Sequence, residues 1–250
     1  MEINRALKRL EKTKAQYAFY FKDKNNQPVF ESNQQLFRSA SIIKVPILLA
    51  WLELERNGAV DRGKKCLLDD EAQVGGAGFA RQFSTRKLLF ADILLMMIAT
   101  SDNLCTNLVL QEIGFKRLQE VMRDSLGLQG TRCERKLMDY AARERGLDNY
   151  IDAKECIQLF RLIDRLHEEE RNWVRSLLLA NTDGALLMRN IPRDTVDLYH
   201  KTGSMTGVLH DWGFTDTCEL FLFTQNVTDE PAVFEVFGEI GKACLLPGQA

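Results

Sequence analysis

This chain lacks an apolar run near the roughly 20 residues that a helix needs to cross a bilayer. Its longest candidate, Leu88 to Ala99, is interrupted by Asp92 and reads as a buried helix. A charge excess of either sign is also missing. With 33 Lys and Arg against 35 Asp and Glu, the formal net charge is −2, which leaves no electrostatic footprint for nucleic acid or an anionic membrane. Histidine is scarce, at three residues, and the six cysteines (Cys66, Cys105, Cys133, Cys156, Cys218 and Cys244) form neither a C-x-x-C pair nor a Cys/His group with zinc spacing. Scattered single thiols suit small buried side chains in a reducing compartment better than a disulfide framework. No repeat and no low-complexity linker divides the chain.

What is present is ordinary globular composition, 45% hydrophobic and 27% charged, in a chain long enough to bury a sizeable core. Residues 1–14 are charged and periodic through Ile3, Ala6, Leu7 and Leu10, which describes an amphipathic helix and not a secretory signal. With the unpaired cysteines this points to a cytoplasmic protein. If the natural chain begins upstream, a secreted or periplasmic location is the expectation instead.

Ala15 to Lys22 alternates and is rich in Tyr and Phe, and Pro28 to Glu31 is a shorter extended run beyond the turn residues 23–27, so a hairpin is expected. An apolar helix runs from Ile42 to Arg56 and stops at Asn57-Gly58, with Pro46 tolerated near its first turn. Further helices are expected at Thr85–Thr100 (capped by Thr85), Asn103–Glu112, Phe115–Leu126, Asp152–His167 and Glu170–Leu179. Residues 130–150 read as a loop with short helical pieces. After Pro192 three strands are predicted, Val196–His200, Val208–Thr215 and Glu219–Thr224, followed by a helix over Glu230–Cys244. The pattern implies an α+β fold whose two lobes interleave in sequence.

Three short motifs carry the chemistry. In Ser41-Ile42-Ile43-Lys44 the i,i+3 spacing puts a hydroxyl and an amine on one helix face. A buried, crowded lysine can lose its proton readily enough to act as a base toward that serine. The N-terminus of the helix would also favour a developing oxyanion at Ser41. Ser101-Asp102-Asn103 falls between two predicted helices, where Ser101 can relay a proton to a leaving nitrogen and Asn103 can orient Lys44 or a substrate amide. Lys201-Thr202-Gly203-Ser204 ends a predicted strand. There Thr202 offers a hydroxyl to a substrate carboxylate and Gly203 allows close approach of a ligand. Each motif alone is a routine helix cap or strand end; their conjunction in this order is not.

With the surrounding runs LLMMIATSDNLCTNLVLQEIG (Leu94–Gly114) and KTGSMTGVLHDWG (Lys201–Gly213), nearly the whole chain resembles the class A β-lactamase and D-Ala-D-Ala transpeptidase superfamily. The resemblance implies a β-lactamase/transpeptidase-like α+β fold, with an antiparallel sheet flanked by N- and C-terminal helices plus an all-helical lobe. It implies one domain over residues 1–250, with an α/β lobe from about 1–45 and 195–250 and a helical lobe over about 46–194. Ser41 is then the acylated nucleophile, Lys44 its proton acceptor, Ser101 and Lys201 members of the proton relay, and Asn103, Thr202, Gly203 and Ser204 substrate-binding positions. The backbone N–H groups of Ser41 and Ser204 form the oxyanion hole. No metal or organic cofactor is implied, and the partner is a small β-lactam or a related amide or ester, handled by a monomer.

Two departures from the pattern qualify it. Class A enzymes release the acyl group through a loop glutamate and a water. If Arg135 matches the arginine of that loop, Leu137 stands where the glutamate would be, with Glu134 and Asp139 as weak substitutes. Many relatives also carry an arginine on the strand after K-T-G, whereas no arginine follows Lys201 here. His210, beside Asp211, is a possible stand-in, though a structural role suits both better; His167 and His200 read as surface residues. Weak binding of β-lactam carboxylates is therefore expected. Three readings stay open: a hydrolase with slow deacylation, a penicillin-binding acyl trap or esterase with another substrate, and a non-catalytic sensory module, against which the intact Ser41, Lys44, Ser101 and Lys201 argue.

Overall fold

The computed structural model describes residues 2–25 and 27–246. In chain order its first elements are α1 (Glu2–Lys12), β1 (Gln16–Asp23), β2 (Val29–Ser32) and β3 (Leu36–Arg38). A 3-10 turn, Ala40–Ile43, leads into α2 (Lys44–Arg56), followed by β4 (Lys65–Leu67), β5 (Lys87–Leu89), α3 (Phe90–Ala99) and α4 (Asn103–Ile113). Next come α5 (Phe115–Glu120), α6 (Tyr140–Glu144), β6 (Tyr150–Asp152), α7 (Ala153–Asp164) and α8 (Glu168–Leu179). The chain closes with β7 (Tyr199–Met205), β8 (Val208–Phe214), β9 (Cys218–Gln225) and α9 (Glu230–Leu245).

Five strands form one antiparallel sheet in the order β2-β1-β9-β8-β7, so the first hairpin joins the end of the chain through β1 and β9. Because successive strand residues face opposite sides, the sheet has two apolar faces. Phe19, Leu220 and Leu222 pack with Leu7 and Leu10 of α1 and Val233, Phe237 and Ile240 of α9. On the other face Ala18, Tyr20, Phe221, Phe223 and Trp212 join a larger core built from α2, α3, α4 and α7. Trp212 stacks on Phe160 at 4.5 Å between centroids, and its indole N–H donates to the Cys156 carbonyl at 2.9 Å. This is the α+β architecture expected, with the first and last helices flanking the sheet and the remaining helices opposite. All six cysteines are free and buried.

Several boundaries differ from expectation for long-range reasons. The helix expected from Thr85 begins at Phe90, because Lys87–Leu89 pairs with Lys65–Leu67 and draws that segment into a small ribbon. Val196 to Tyr199 is mostly approach to a strand that runs Tyr199–Met205, so Lys201-Thr202-Gly203-Ser204 lies inside β7 and not at its end. The two-residue loop Thr206-Gly207, with Gly207 at φ +70°, fixes this register by pairing Met205 with Val208. His200, expected at the surface, is buried in the sheet with Nδ1 3.0 Å from Asp211 Oδ1. The first hairpin and the helices after Asp102 and Asp152 form as read, although Asn26 of the hairpin turn lies outside the described residues.

Candidate active site

The turn that carries Ser41 is held between the larger core and the sheet edge. Ile42 and Ile43 are fully buried, while Ala40 and Ser41 of the same turn border the cleft. Ala40, just before Ser41, has φ +43°, a left-handed conformation that costs energy for a residue with a Cβ. Ser101 (φ +55°) and Met138 (φ +64°) share this strain, and all three border the same cleft.

Lys44 joins two of the motifs. Its side chain is completely buried, and Nζ lies 3.0 Å from Ser41 Oγ, 3.0 Å from Ser101 Oγ, 3.0 Å from Asn103 Oδ1 and 2.6 Å from the Ser101 carbonyl. Burial, reinforced by the nearby charge of Lys201, holds its pKa well below the ordinary lysine value. A neutral amine donates twice and accepts once. With the Ser101 carbonyl and Asn103 Oδ1 as natural acceptors of its two N–H bonds, its lone pair is left for a serine hydroxyl.

The Ser101-Asp102-Asn103 segment is fixed by its own hydrogen bonds. Asp102 caps α4 by accepting from the Cys105 amide (3.0 Å) and also takes the Ala80 amide (2.8 Å), so its role is structural. Asn103 Nδ2 donates to the Gly75 carbonyl at 2.9 Å, which frees its Oδ1 for Lys44. Gly78 lies so close to Asp102 that a Cβ there would come within 2.1 Å of the carboxylate.

From the sheet side, Lys201 is fully buried and donates from Nζ to the Thr202 carbonyl at 2.9 Å; burial lowers its pKa to about 8, opposed by Asp183 and Asp211. Among the described residues it forms no hydrogen bond to Ser41 or Ser101. Thr202 and Ser204 line a recess beside Ser41 and Ser101, and β7 is the edge strand, which leaves one side of its backbone toward the cleft. Gly203 meets protein rather than open space: a Cβ there would lie 2.9 Å from the Ser41 nitrogen. His210 is removed from the site. It is fully buried, its Nε2 bonds the Arg38 carbonyl (2.9 Å), its Nδ1 accepts from the Thr224 amide (3.1 Å), and burial pushes its pKa down to about 4. Asp211 instead pairs with His200 and accepts the Leu187 amide at 3.0 Å, and burial raises its pKa.

The loop after Thr131 closes the opposite wall. Arg135 is buried and paired with Asp148 at 2.7 Å, while Asn149 Oδ1 receives the amides of Glu134 (2.8 Å) and Arg135 (3.1 Å). Asn107 clasps Leu137 at both ends of its peptide, Oδ1 to the amide (2.8 Å) and Nδ2 to the carbonyl (3.1 Å). Leu137 thereby faces a cavity of about 600 Å³ that also contains Ser41, Asn103 and Ser204. Neither acidic candidate from the sequence borders it. Glu134 pairs with Arg132 at 3.4 Å, and Asp139 caps α6 by accepting the Ala142 amide at 2.9 Å. The carboxylate that does line the cavity is Asp148, already shared by Arg135 and Arg143 (3.5 Å).

Asn107, Arg38, Tyr140 and Asp183 are site residues that sequence reading missed. None belongs to a short motif; Arg38 is a near neighbour of Ser41 in the chain, while Tyr140 and Asp183 reach the cleft, and Asn107 reaches Leu137, only through the packing of distant segments.

A model described as the beta-lactamase enzyme family matches residues 2–246. Among solved structures, the chain is similar to a beta-lactamase from Sphaerobacter thermophilus, with a TM-score of 0.84 and 23% identity over 96% of this chain and 94% of that one. A beta lactamase from Xanthomonas campestris pv. campestris gives 0.82 and 19% over 97% and 96%. An acyl-enzyme complex of a PBP-A mutant with penicillin G gives 0.80 and 18% over 96% of each chain. At these identities the structural likeness is one of fold. No curated protein sequence matches the chain.

Proposed function

The chain belongs to the beta-lactamase enzyme family, and from that premise we propose that it is a serine hydrolase that is acylated on Ser41 by β-lactams or related amides and esters. The observation that carries this reading is the convergence of Ser41 Oγ, Ser101 Oγ and Asn103 Oδ1, each 3.0 Å from the buried Lys44 amine. The neutral amine accepts the Ser41 proton as Oγ attacks the substrate carbonyl carbon. Negative charge gathers on the carbonyl oxygen, where the N–H groups of Ser41 and Ser204 stabilise it. As the carbon–nitrogen bond breaks, the leaving nitrogen takes the Ser101 hydroxyl proton, and Lys44 returns its own proton to Ser101. An ester on Ser41 and a free amine result, with Lys44 neutral again. Asn103 orients Lys44, and Lys201 and Thr202 support the leaving-group side.

Release of the acyl group is slow in this reading, because Leu137 faces the cavity where a carboxylate would activate water, and Glu134 and Asp139 are engaged elsewhere. The same observation favours a second reading, an acyl trap of penicillin-binding type. Intact-mass measurement after mixing with penicillin G separates the two. A Ser41-dependent adduct that persists for minutes supports the trap, and one that decays with turnover supports the hydrolase. An equal adduct on Ser41→Ala sinks both.

A further inference from the structure

The cleft has two chambers, and Ser41 borders both. Ser101 borders the smaller recess and is absent from the lining of the larger chamber, which holds about 600 Å³. A leaving nitrogen that takes its proton from Ser101 lies on the recess side, so the acyl portion of the substrate points into the larger chamber. A chamber of this size admits a substituted side chain. Its charged lining is unbalanced: Arg38, Arg135 and Arg143 stand against one carboxylate, Asp148.

That carboxylate is already committed. Asp148 is buried, and its Oδ1 accepts from Arg135 Nε (2.8 Å) and Nη2 (2.7 Å) and from the Asn149 amide (2.9 Å). Arg135 is buried as well and donates from Nη1 to the Lys136 carbonyl at 3.0 Å, so its charge is answered within the protein. Arg143 is exposed and reaches only Asp148 Oδ2, from Nε at 3.5 Å. Among the described residues, neither its Nη groups nor the guanidinium of half-buried Arg38 has an acceptor. Two cations thus border the acyl chamber without a carboxylate of their own.

We propose that this chamber selects an acyl portion bearing an anionic group, with Arg143 pairing with it and Arg38 as a second cation on the same lining. This rests on the Ser41 acylation reading and adds the substrate class: β-lactams, amides or esters whose acyl side carries a carboxylate. A guanidinium presents paired N–H donors in a planar fork that matches a carboxylate. Asp148 engages Arg143 at its Nε, and the Nη groups remain for the substrate.

The test compares three penicillins that share one nucleus and differ at the α-carbon of the phenylacetyl group. Benzylpenicillin carries hydrogen there, ampicillin an amine and carbenicillin a carboxylate. At about pH 6.5 the amine is protonated. Second-order constants for acylation of Ser41 are measured by intact mass, and each is divided by that of benzylpenicillin. An effect on the machinery common to all three then cancels, and intrinsic reactivity cancels between variant and wild type. In Arg143→Gln the carbenicillin ratio should fall about three- to fivefold, the range of a half-exposed ion pair, and the ampicillin ratio should rise. Arg143→Lys, which keeps the charge, should retain most of the carbenicillin ratio, and Arg38→Gln combined with Arg143→Gln should lower it furthest. In wild type the same ratio should decline between about 0.05 and about 1 M NaCl. Asp148 stays paired with Arg135 in these variants, and a thermal midpoint near wild type shows that each is folded. Unchanged ratios in the folded double variant, with Ser41 still acylated, overturn the inference alone. So does an equal fall for carbenicillin and ampicillin, which would mean that shape and not charge is read. Failure of all three penicillins to acylate Ser41 overturns the underlying reading and this inference with it.

Discussion

A Cβ on Gly203 would stand 2.9 Å from the amide nitrogen of Ser41, so the edge strand and the turn that carries Ser41 touch where no side chain fits. The neighbours there are backbone and Cβ atoms, Ile42 N and Ala40 Cβ at 3.1 Å, with no flexible side chain to yield. Gly203→Ala is therefore expected to push β7 away from Ser41, costing about 1–3 kcal/mol of stability, as overpacking does. Acylation should slow about 10²-fold, since misplacement by about 1 Å is enough for that. Denaturant titration and penicillin acylation kinetics measure the two effects. A variant with wild-type acylation would show that the contact does not position the nucleophile.

Lys44→Ala removes the proposed base and strands its acceptors. Acylation should fall about 10³-fold, within the range that loss of a general base costs. Lys44→Arg should be nearly as poor, because a guanidinium stays protonated and cannot accept the Ser41 proton. Single-turnover kinetics with a chromogenic cephalosporin checks both, and retained activity in the Arg variant would exclude Lys44 as the base.

Leu137→Glu places a carboxylate at a position that lines the same cavity as Ser41 while Asn107 still holds the peptide. The acyl-enzyme lifetime should shorten at least about tenfold, with little change in acylation. A time course of intact mass after a penicillin pulse gives the result. An unchanged lifetime would mean that the position cannot serve water activation.

Lys201 deprotonates at about 8, so acylation efficiency is expected to decline above that pH if its charge supports the reaction. The free-protein pH profile of the second-order acylation constant reports this limb. A profile flat to pH 10 would remove Lys201 from the charged machinery.

His210 bears on stability in the acid range. Its folded pKa of about 4 lies below the ordinary 6.5, so the unfolded chain binds the proton first as pH falls. The stabilisation is fully present above pH 6.5 and is lost as pH drops through 4, by about 3 kcal/mol in total. Imidazole NMR should show His210 not titrating until near pH 4; a His210 that titrates near 6.5 would contradict the burial.

Read as a sequence, the chain already placed the groups of its candidate site to a large extent. S-x-x-K needs only helical spacing to place Ser41 beside Lys44, and Asp102 and Asp152 announce their helices because capping is local. The alternation over Ala15 to Lys22 likewise marked β1 as a strand. Tertiary structure decided what depends on distant segments. It turned Glu134 and Asp139 away from the cleft, gave Asp211 to His200 instead of His210, moved Lys201 to the interior of β7, and brought Asp183 to the wall beside Ser41. A carboxylate has no period and no fixed spacing to a serine over 140 residues away in the chain. Only the closing of β7 against the turn that carries Ser41, with the loop after α8 packed on the end of α3, determines which acid borders the cleft.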